Sequence, residues 1–194
     1  MGDNWREAAS AAMDRYACGD DSAFSELYDL LAPRLTAFLV RRARDEALAS
    51  DLVQQTFLQM HASRRHFSEG ADVMPWAFAI ARRLLIDVVR KSGREIAGDD
   101  GGSEERESVA PDLPPDRIVA QRRLAARVGK ELERVPEAQR AAFELVKRDG
   151  LSLAEAAEVL GTTVAAVKLR IHRTYEALRE ALGEEMHEEL DGSW

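Results

Sequence analysis

The sequence predicts an all-α protein made of two small helical domains joined by a flexible acidic linker. Three observations predict it. Outside one central stretch, apolar residues recur with the 3.6-residue period of a helix. No run alternates apolar and polar residues as a half-buried strand does. Between residues 93 and 116, large apolar side chains nearly vanish while Gly93, Gly98, Gly101, Gly102, Pro111, Pro114 and Pro115 accumulate among acids. Such a stretch cannot bury enough surface to offset the entropy of ordering it. The chain therefore divides into a domain over 1–95, a linker over 96–116, a domain over 117–183 and an acidic tail over 184–194.

In the first domain, helices are expected at about 4–17, 21–44, 49–66 and 75–92. Asp20, Asp21 and Ser22 offer caps for the second, and Ser50 or a neighbour for the third. Pro33 should kink or divide the second helix, because proline removes a backbone donor and crowds the preceding turn. In the third, Val53, Phe57 and Met60 share a core-facing side. Asp51, Gln55 and Leu58 form another strip, whose glutamines beside a leucine suit a mixed protein–protein contact as well as a merely polar face. The fourth helix and its exit carry Arg82, Arg83, Arg90, Lys91 and Arg94 against one acid, Asp87. Ile80, Leu84 and Val88 pack elsewhere on it. Such a helix, beside a loop with His66, Phe67 and Trp76, could hold a single strand, arginines taking phosphates and the loop taking unstacked bases. A solvated basic face with Trp76 in the core is the competing reading.

In the second domain, helices are expected at about 116–134, 137–148, 153–160 and 164–182, with Pro136 at a first turn. Ser152 and Glu155 form a capping box. Gly150 and Gly161 suit the left-handed positions that end helices. Short helix, glycine turn through Thr162 and Thr163, and longer helix together have the spacing of a helix-turn-helix. On the longer helix, Val164, Val167, Ile171, Tyr175 and Leu178 fall on one stripe, which should face the core. The opposite side shows Ala165, Leu169, His172 and Arg173, flanked by Lys168 and Arg170, with no acid between Val164 and Tyr175. A phosphate-lined groove demands such a pattern, cations for the backbone and short or apolar groups for base edges. Taken alone, this helix also fits a solvated cationic face on an ordinary bundle.

The net charge of −8 at first argues against nucleic acid, but the acids are segregated. Residues 96–118 carry a net −5 and residues 184–194 another −5, which leaves +2 for the rest. The single cysteine, Cys18, excludes an internal disulfide and a cysteine-built zinc site, and it is expected to be buried or half-buried. His61, His66, His172 and His187 are not grouped with carboxylates at metal-ligand spacing, so neither a metal nor another cofactor is expected. No set of nucleophile, base and acid supports an enzyme, and no small-molecule substrate is implied. The opening Met1-Gly2-Asp3-Asn4-Trp5 lacks a basic start followed by an apolar run, so no signal peptide is expected. No stretch approaches the roughly 18 apolar residues that span a bilayer. The expected location is cytoplasmic.

In their order, these stretches resemble the extracytoplasmic-function (ECF) type sigma factors of the sigma-70 superfamily. Asp51-Leu52-Val53-Gln54-Gln55-Thr56-Phe57 is similar to the family's region 2.2. The resemblance implies that Asp51, Leu52, Gln54, Gln55 and Leu58 contact the β′ clamp of RNA polymerase core. Trp76 to Arg90 resembles regions 2.3 and 2.4, which melt and read the −10 element, and His66 to Pro75 the loop that captures a flipped base. His66, Phe67, Trp76, Arg82, Arg83, Asp87 and Arg90 are the residues this implies. Val135 to Arg140 is similar to the opening of region 4, and Leu153 to Gly161 with Val167 to Arg173 to its −35-binding helix-turn-helix. Thr162, Thr163, Ala165, Lys168, Leu169, Arg170, His172 and Arg173 are implied there, with the domain seated on the β flap.

Family members usually have Gly-Thr at Ala165-Ala166, serine at Leu169 and asparagine at Arg83. Leu169 offers an apolar group for thymine methyls instead. The resemblance further implies promoter DNA as a partner, an anti-sigma factor, often membrane-bound, that holds the protein inactive, and a linker threaded toward the polymerase active site. Two other readings compete. A sigma-mimicking decoy that only sequesters an anti-sigma factor would not need the cationic sides. A stand-alone helix-turn-helix regulator leaves the 50–61 helix unexplained.

Overall fold

A computed structural model describes residues 4–92 and 115–183. The secondary structure of those residues is eight α-helices and one 3-10 turn, without a strand. The first unit holds α1 (Asn4–Ala17), α2 (Ala23–Ala43), α3 (Glu46–Ser63), the 3-10 turn Arg64–His66, and α4 (Val73–Ser92). After residue 114 come α5 (Pro115–Arg134), α6 (Glu137–Lys147), α7 (Leu153–Leu160) and α8 (Val164–Leu182), and the second unit holds α5, α6, α8 and α7 as far as Ala157. Arg94 and the tail 184–194 lie outside the described residues, as does the acidic linker except for its last two residues. Those two, Pro115 and Asp116, open α5 instead of ending a linker, as suits proline at a first helical position.

The core of the first unit follows helical spacing. On α1, Ala9, Ala12, Met13 and Tyr16 are buried. On α2, Ala23, Leu27, Leu31, Leu35 and Leu39 recur every fourth residue and face inward with Phe38. Phe38 of α2 meets Phe78 of α4 with ring centroids 4.8 Å apart. Arg34 of α2 stacks over the Trp5 ring at 3.3 Å from its centroid, which fastens the start of α1. Pro33 does not divide α2, which is one helix with Pro33 exposed, so the lost backbone bond faces water. The third helix starts earlier than Ser50, because Asp45 caps it by accepting from the Leu48 N–H at 3.0 Å. Its expected last turn tightens into the 3-10 turn. Cys18 is exposed rather than buried: α1 ends one residue before it, and the chain leaves through Gly19 at φ 103°.

In the second unit Leu132, Val135, Ala141, Ala142, Leu145, Leu151, Ala156, Val167 and Leu178 form the buried centre. Both halves of the capping box close: the Ser152 N–H donates to Glu155 Oε2 at 2.6 Å, and the Glu155 N–H to Ser152 Oγ at 3.2 Å. The α7–α8 turn is a Schellman stop: Gly161 takes φ 60°, and the Thr162 N–H donates to the Ala157 carbonyl at 2.9 Å. Thr163 then caps α8, its hydroxyl accepting from the Ala166 N–H at 3.2 Å. Two tight ends within the three residues Gly161, Thr162 and Thr163 fix the angle at which α8 leaves α7.

Candidate nucleic-acid interface

The inward stripe of α8 is Val167, Ile171, Thr174, Leu178 and Leu182. Thr174 is tolerated there because its hydroxyl donates to the Arg170 carbonyl at 3.0 Å. Val164, expected in that stripe, is 40% exposed: it is the first residue past the cap, and the stripe begins one turn later. Tyr175 is half-buried and packs edge-on against Phe143 at 5.2 Å; burial raises its phenol above the ordinary value. The outward side carries Thr163, Ala165, Lys168, Leu169, His172 and Arg173, all exposed, with Thr162 and Arg170 half-buried at its flanks. Two rows of i, i+4, i+8 spacing lie side by side on it, Val164-Lys168-His172 and Ala165-Leu169-Arg173. Glu176 closes this face below, its carboxylate 3.3 Å from His172 Nε2.

The basic helix α4 is held inward by Val73, Met74, Ala77, Phe78, Ile80, Ala81 and Leu85. Arg83, Asp87 and Arg90 are exposed on its outer side and Arg82 is half-buried. Arg83 donates to Gln59 Oε1 of α3 at 2.7 Å. Before α4, the loop presents His66 exposed and Phe67 half-buried. Trp76 is half-buried too, neither core nor fully open, with its ring 5.2 Å from that of Phe67. One loop and the first turn of α4 thus bring Phe67 and Trp76 together, with His66 exposed at the start of the same loop.

On α3, Asp51, Gln54, Gln55 and Leu58 are exposed, Leu58 at 67%. Leu52 is the exception among the expected contact residues: at 0% exposure it lies in the core and cannot touch a partner. The helix is amphipathic, and Leu52 belongs with Val53, Thr56, Phe57 and Met60 on the buried side. Tyr28 of α2, 39% exposed, packs on Phe57 at 4.7 Å.

Comparison with known proteins places this geometry. Residues 27–95 match the family described as Sigma-70 region 2, and residues 125–178 match Sigma-70, region 4. The RNA polymerase sigma factor CarQ of Myxococcus xanthus is 35% identical over 89% of this chain and 96% of its own length. The ECF RNA polymerase sigma factor SigF of Caulobacter vibrioides is 34% identical over 89% of this chain and 92% of its own. The chain belongs to the ECF sigma factors of the sigma-70 family. Among solved structures, the sigma factor RpoE of Bartonella quintana, crystallised with the anti-sigma factor NepR, aligns at a TM-score of 0.62. It is 28% identical over 82% of this sigma factor and 96% of that chain.

Sequence reasoning missed the contacts that α1 makes in this sigma factor. Arg6, Ser10 and Asp14 bond to the loop between α3 and α4. Their signal was available as three polar residues spaced by four along one helix. It was missed because the bonds span more than fifty residues of sequence. Gln59 was missed as well, since its partner Arg83 lies on the next helix. Among the described residues no group of histidines, cysteines and carboxylates is placed to hold a metal ion, and no helix is long and apolar enough to cross a membrane.

Proposed function

We propose that this sigma factor carries RNA polymerase core to its promoters and holds them at two places. The first unit docks on the β′ clamp through Asp51, Gln54, Gln55 and Leu58, with buried Leu52 supporting that helix from behind. The loop with His66 and Phe67, together with Trp76, Arg82, Arg83, Asp87 and Arg90, takes the opened −10 strand. The second unit, seated on the β flap, lays α8 in the −35 major groove. Lys168, Arg170 and Arg173 meet phosphates or bases, and Thr163 places the free N–H groups of the helix start toward the backbone. Ala165, Leu169 and His172 face base edges. An anti-sigma factor, such as the one bound to the Bartonella relative, holds the protein inactive.

The outward side of α8 carries this reading. It is a helix that follows a three-residue turn and exposes Lys168 and Arg173 beside Val164, Ala165 and Leu169, with Arg170 half-buried at the flank and no acid before Glu176. The test is transcription in vitro by core polymerase on a genomic promoter library, with and without this protein. Reversing the charge at Lys168 and Arg173 should abolish the added start sites. Start sites unchanged by that reversal would refute the reading. DNA binding by the protein alone, as a dimer and without polymerase, would instead favour a stand-alone regulator.

A further inference from the structure

The loop between α3 and α4 is held by α1 at successive turns. Asp14 accepts from the Gly70 N–H with both carboxylate oxygens, each at 3.2 Å. Ser10 Oγ, one turn earlier, accepts from the Val73 N–H at 3.2 Å. Arg6, another turn earlier, donates from Nε to Asp72 Oδ2 at 2.8 Å, with Nη2 at 2.7 Å from the same oxygen. Asp72 in turn caps α4 by accepting from the Met74 N–H at 2.8 Å. The row Arg6-Ser10-Asp14 rises about 12 Å along α1, and it meets the far end of the loop at residues 70, 72 and 73. The near end is held by the same helix. Arg64 lies 5.6 Å over the Tyr16 ring and donates to the His61 carbonyl at 2.9 Å, while the Tyr16 hydroxyl bonds His61 Nδ1. Between these anchors His66, Ser68 and Glu69 are exposed and Phe67 rests on Trp76.

We propose that α1 is the positioning element of the base-capturing loop. It touches no DNA. It fixes both ends of the loop before DNA arrives, so that residues 66–69 present one preformed site to an unstacked base. Preorganisation of this kind lowers the ordering cost of binding and sharpens discrimination, because a wrong base meets a surface that does not adapt. Gly70 at φ 75° lets the chain turn so that its N–H points at Asp14. The inference rests on the proposed contact between this loop and the −10 strand.

The test uses the full chain with core polymerase and compares Ser10→Ala/Asp14→Ala with Ser10→Thr/Asp14→Asn, which keeps an oxygen acceptor at each place. Three quantities are read: affinity for core polymerase, affinity for −35 duplex, and the ratio of open complex formed on the preferred −10 sequence to that on single-base variants of it. The alanine pair should lower that ratio about tenfold, with the two affinities within about twofold of the parent, and the conservative pair should restore it. Ser10→Ala alone, which removes one bond, should lower the ratio about threefold and serves if the double variant does not fold. An unchanged ratio in a folded variant, or a parallel fall in all three quantities, overturns the proposal. A parent protein indifferent to the −10 sequence would instead refute the loop's contact with DNA, which separates the two failures.

Discussion

Leu169 supplies the sharpest prediction about sequence preference. It stands on the outward side of α8 with 49% of its surface exposed, between Ala165 one turn before and Arg173 one turn after. Full burial of a leucine side chain is worth about 1.5–3 kcal/mol, so covering its exposed half against DNA is worth about 0.7–1.5 kcal/mol, or about 3- to 13-fold in affinity. The groove offers one apolar partner for it, the 5-methyl group of thymine. One such methyl, at about 0.8 kcal/mol, corresponds to about fourfold. The assay selects the preferred −35 element from a library with the holoenzyme, then replaces each thymine in turn by deoxyuridine, which keeps every hydrogen-bonding group and removes only the methyl. At one or two positions the replacement should weaken binding about fourfold, and 5-methylcytosine in place of thymine should preserve the apolar contact while changing the polar pattern. Leu169→Ser should bind thymine and deoxyuridine alike. Indifference to deoxyuridine at every position, or a thymine preference that survives in Leu169→Ser, would refute the reasoning.

Three further outcomes follow from burial, capping and charge. Leu52→Ala should cost about 2–5 kcal/mol of stability in the first unit, because the side chain is wholly enclosed; Leu58→Ala should change stability by less than about 0.5 kcal/mol yet weaken core polymerase binding, as thermal unfolding and a polymerase titration will separate. Thr163→Ala removes the cap of α8 and should destabilise the second unit by about 1 kcal/mol, read by denaturant unfolding of the full chain. Lys168→Ala should weaken −35 binding about equally across sequences and reduce the slope of log affinity against log salt by about one, whereas an unchanged slope would show that Lys168 meets no phosphate.

What the sequence revealed was whatever depends on local period and local chemistry. Helix positions, the Ser152–Glu155 box and the glycine stops are read from residues within one turn of each other, and they stand in the structure where spacing puts them. The errors have the same origin. The angle of Val164 on α8 points to the core, but an angle says nothing of where along its length a helix meets its neighbours. Leu52 stands inside the motif that resembles the polymerase-binding segment, though its own side faces inward. Ser50 lost the cap to Asp45, five residues away, because both are good caps and only the path of the preceding chain chooses between them. Contacts between distant helices leave only half a trace: the row Arg6-Ser10-Asp14 is visible in the spacing of α1, but its partners lie more than fifty residues away.

Arg83 shows what such a distant contact does to a site. In this family the position is commonly an uncharged amide, and an arginine there would be counted from sequence as one more phosphate ligand. Its guanidinium instead donates to Gln59, one residue past the exposed Leu58 and on the same helix as Gln54 and Gln55. Arginine has five donors in a rigid fork, so the bond to Gln59 orients the group without consuming it. The helix proposed to dock on polymerase therefore aims a cation on the helix proposed to meet the opened strand. The pair is exposed, so its contribution to folding is small, and its effect belongs to the geometry of the fork. Gln59→Ala should leave the unfolding temperature nearly unchanged while slowing open-complex formation, and Arg83→Ala should remove that sensitivity to Gln59. Additive effects of the two substitutions on the opening rate would show that the arginine acts on DNA independently of the glutamine that holds it.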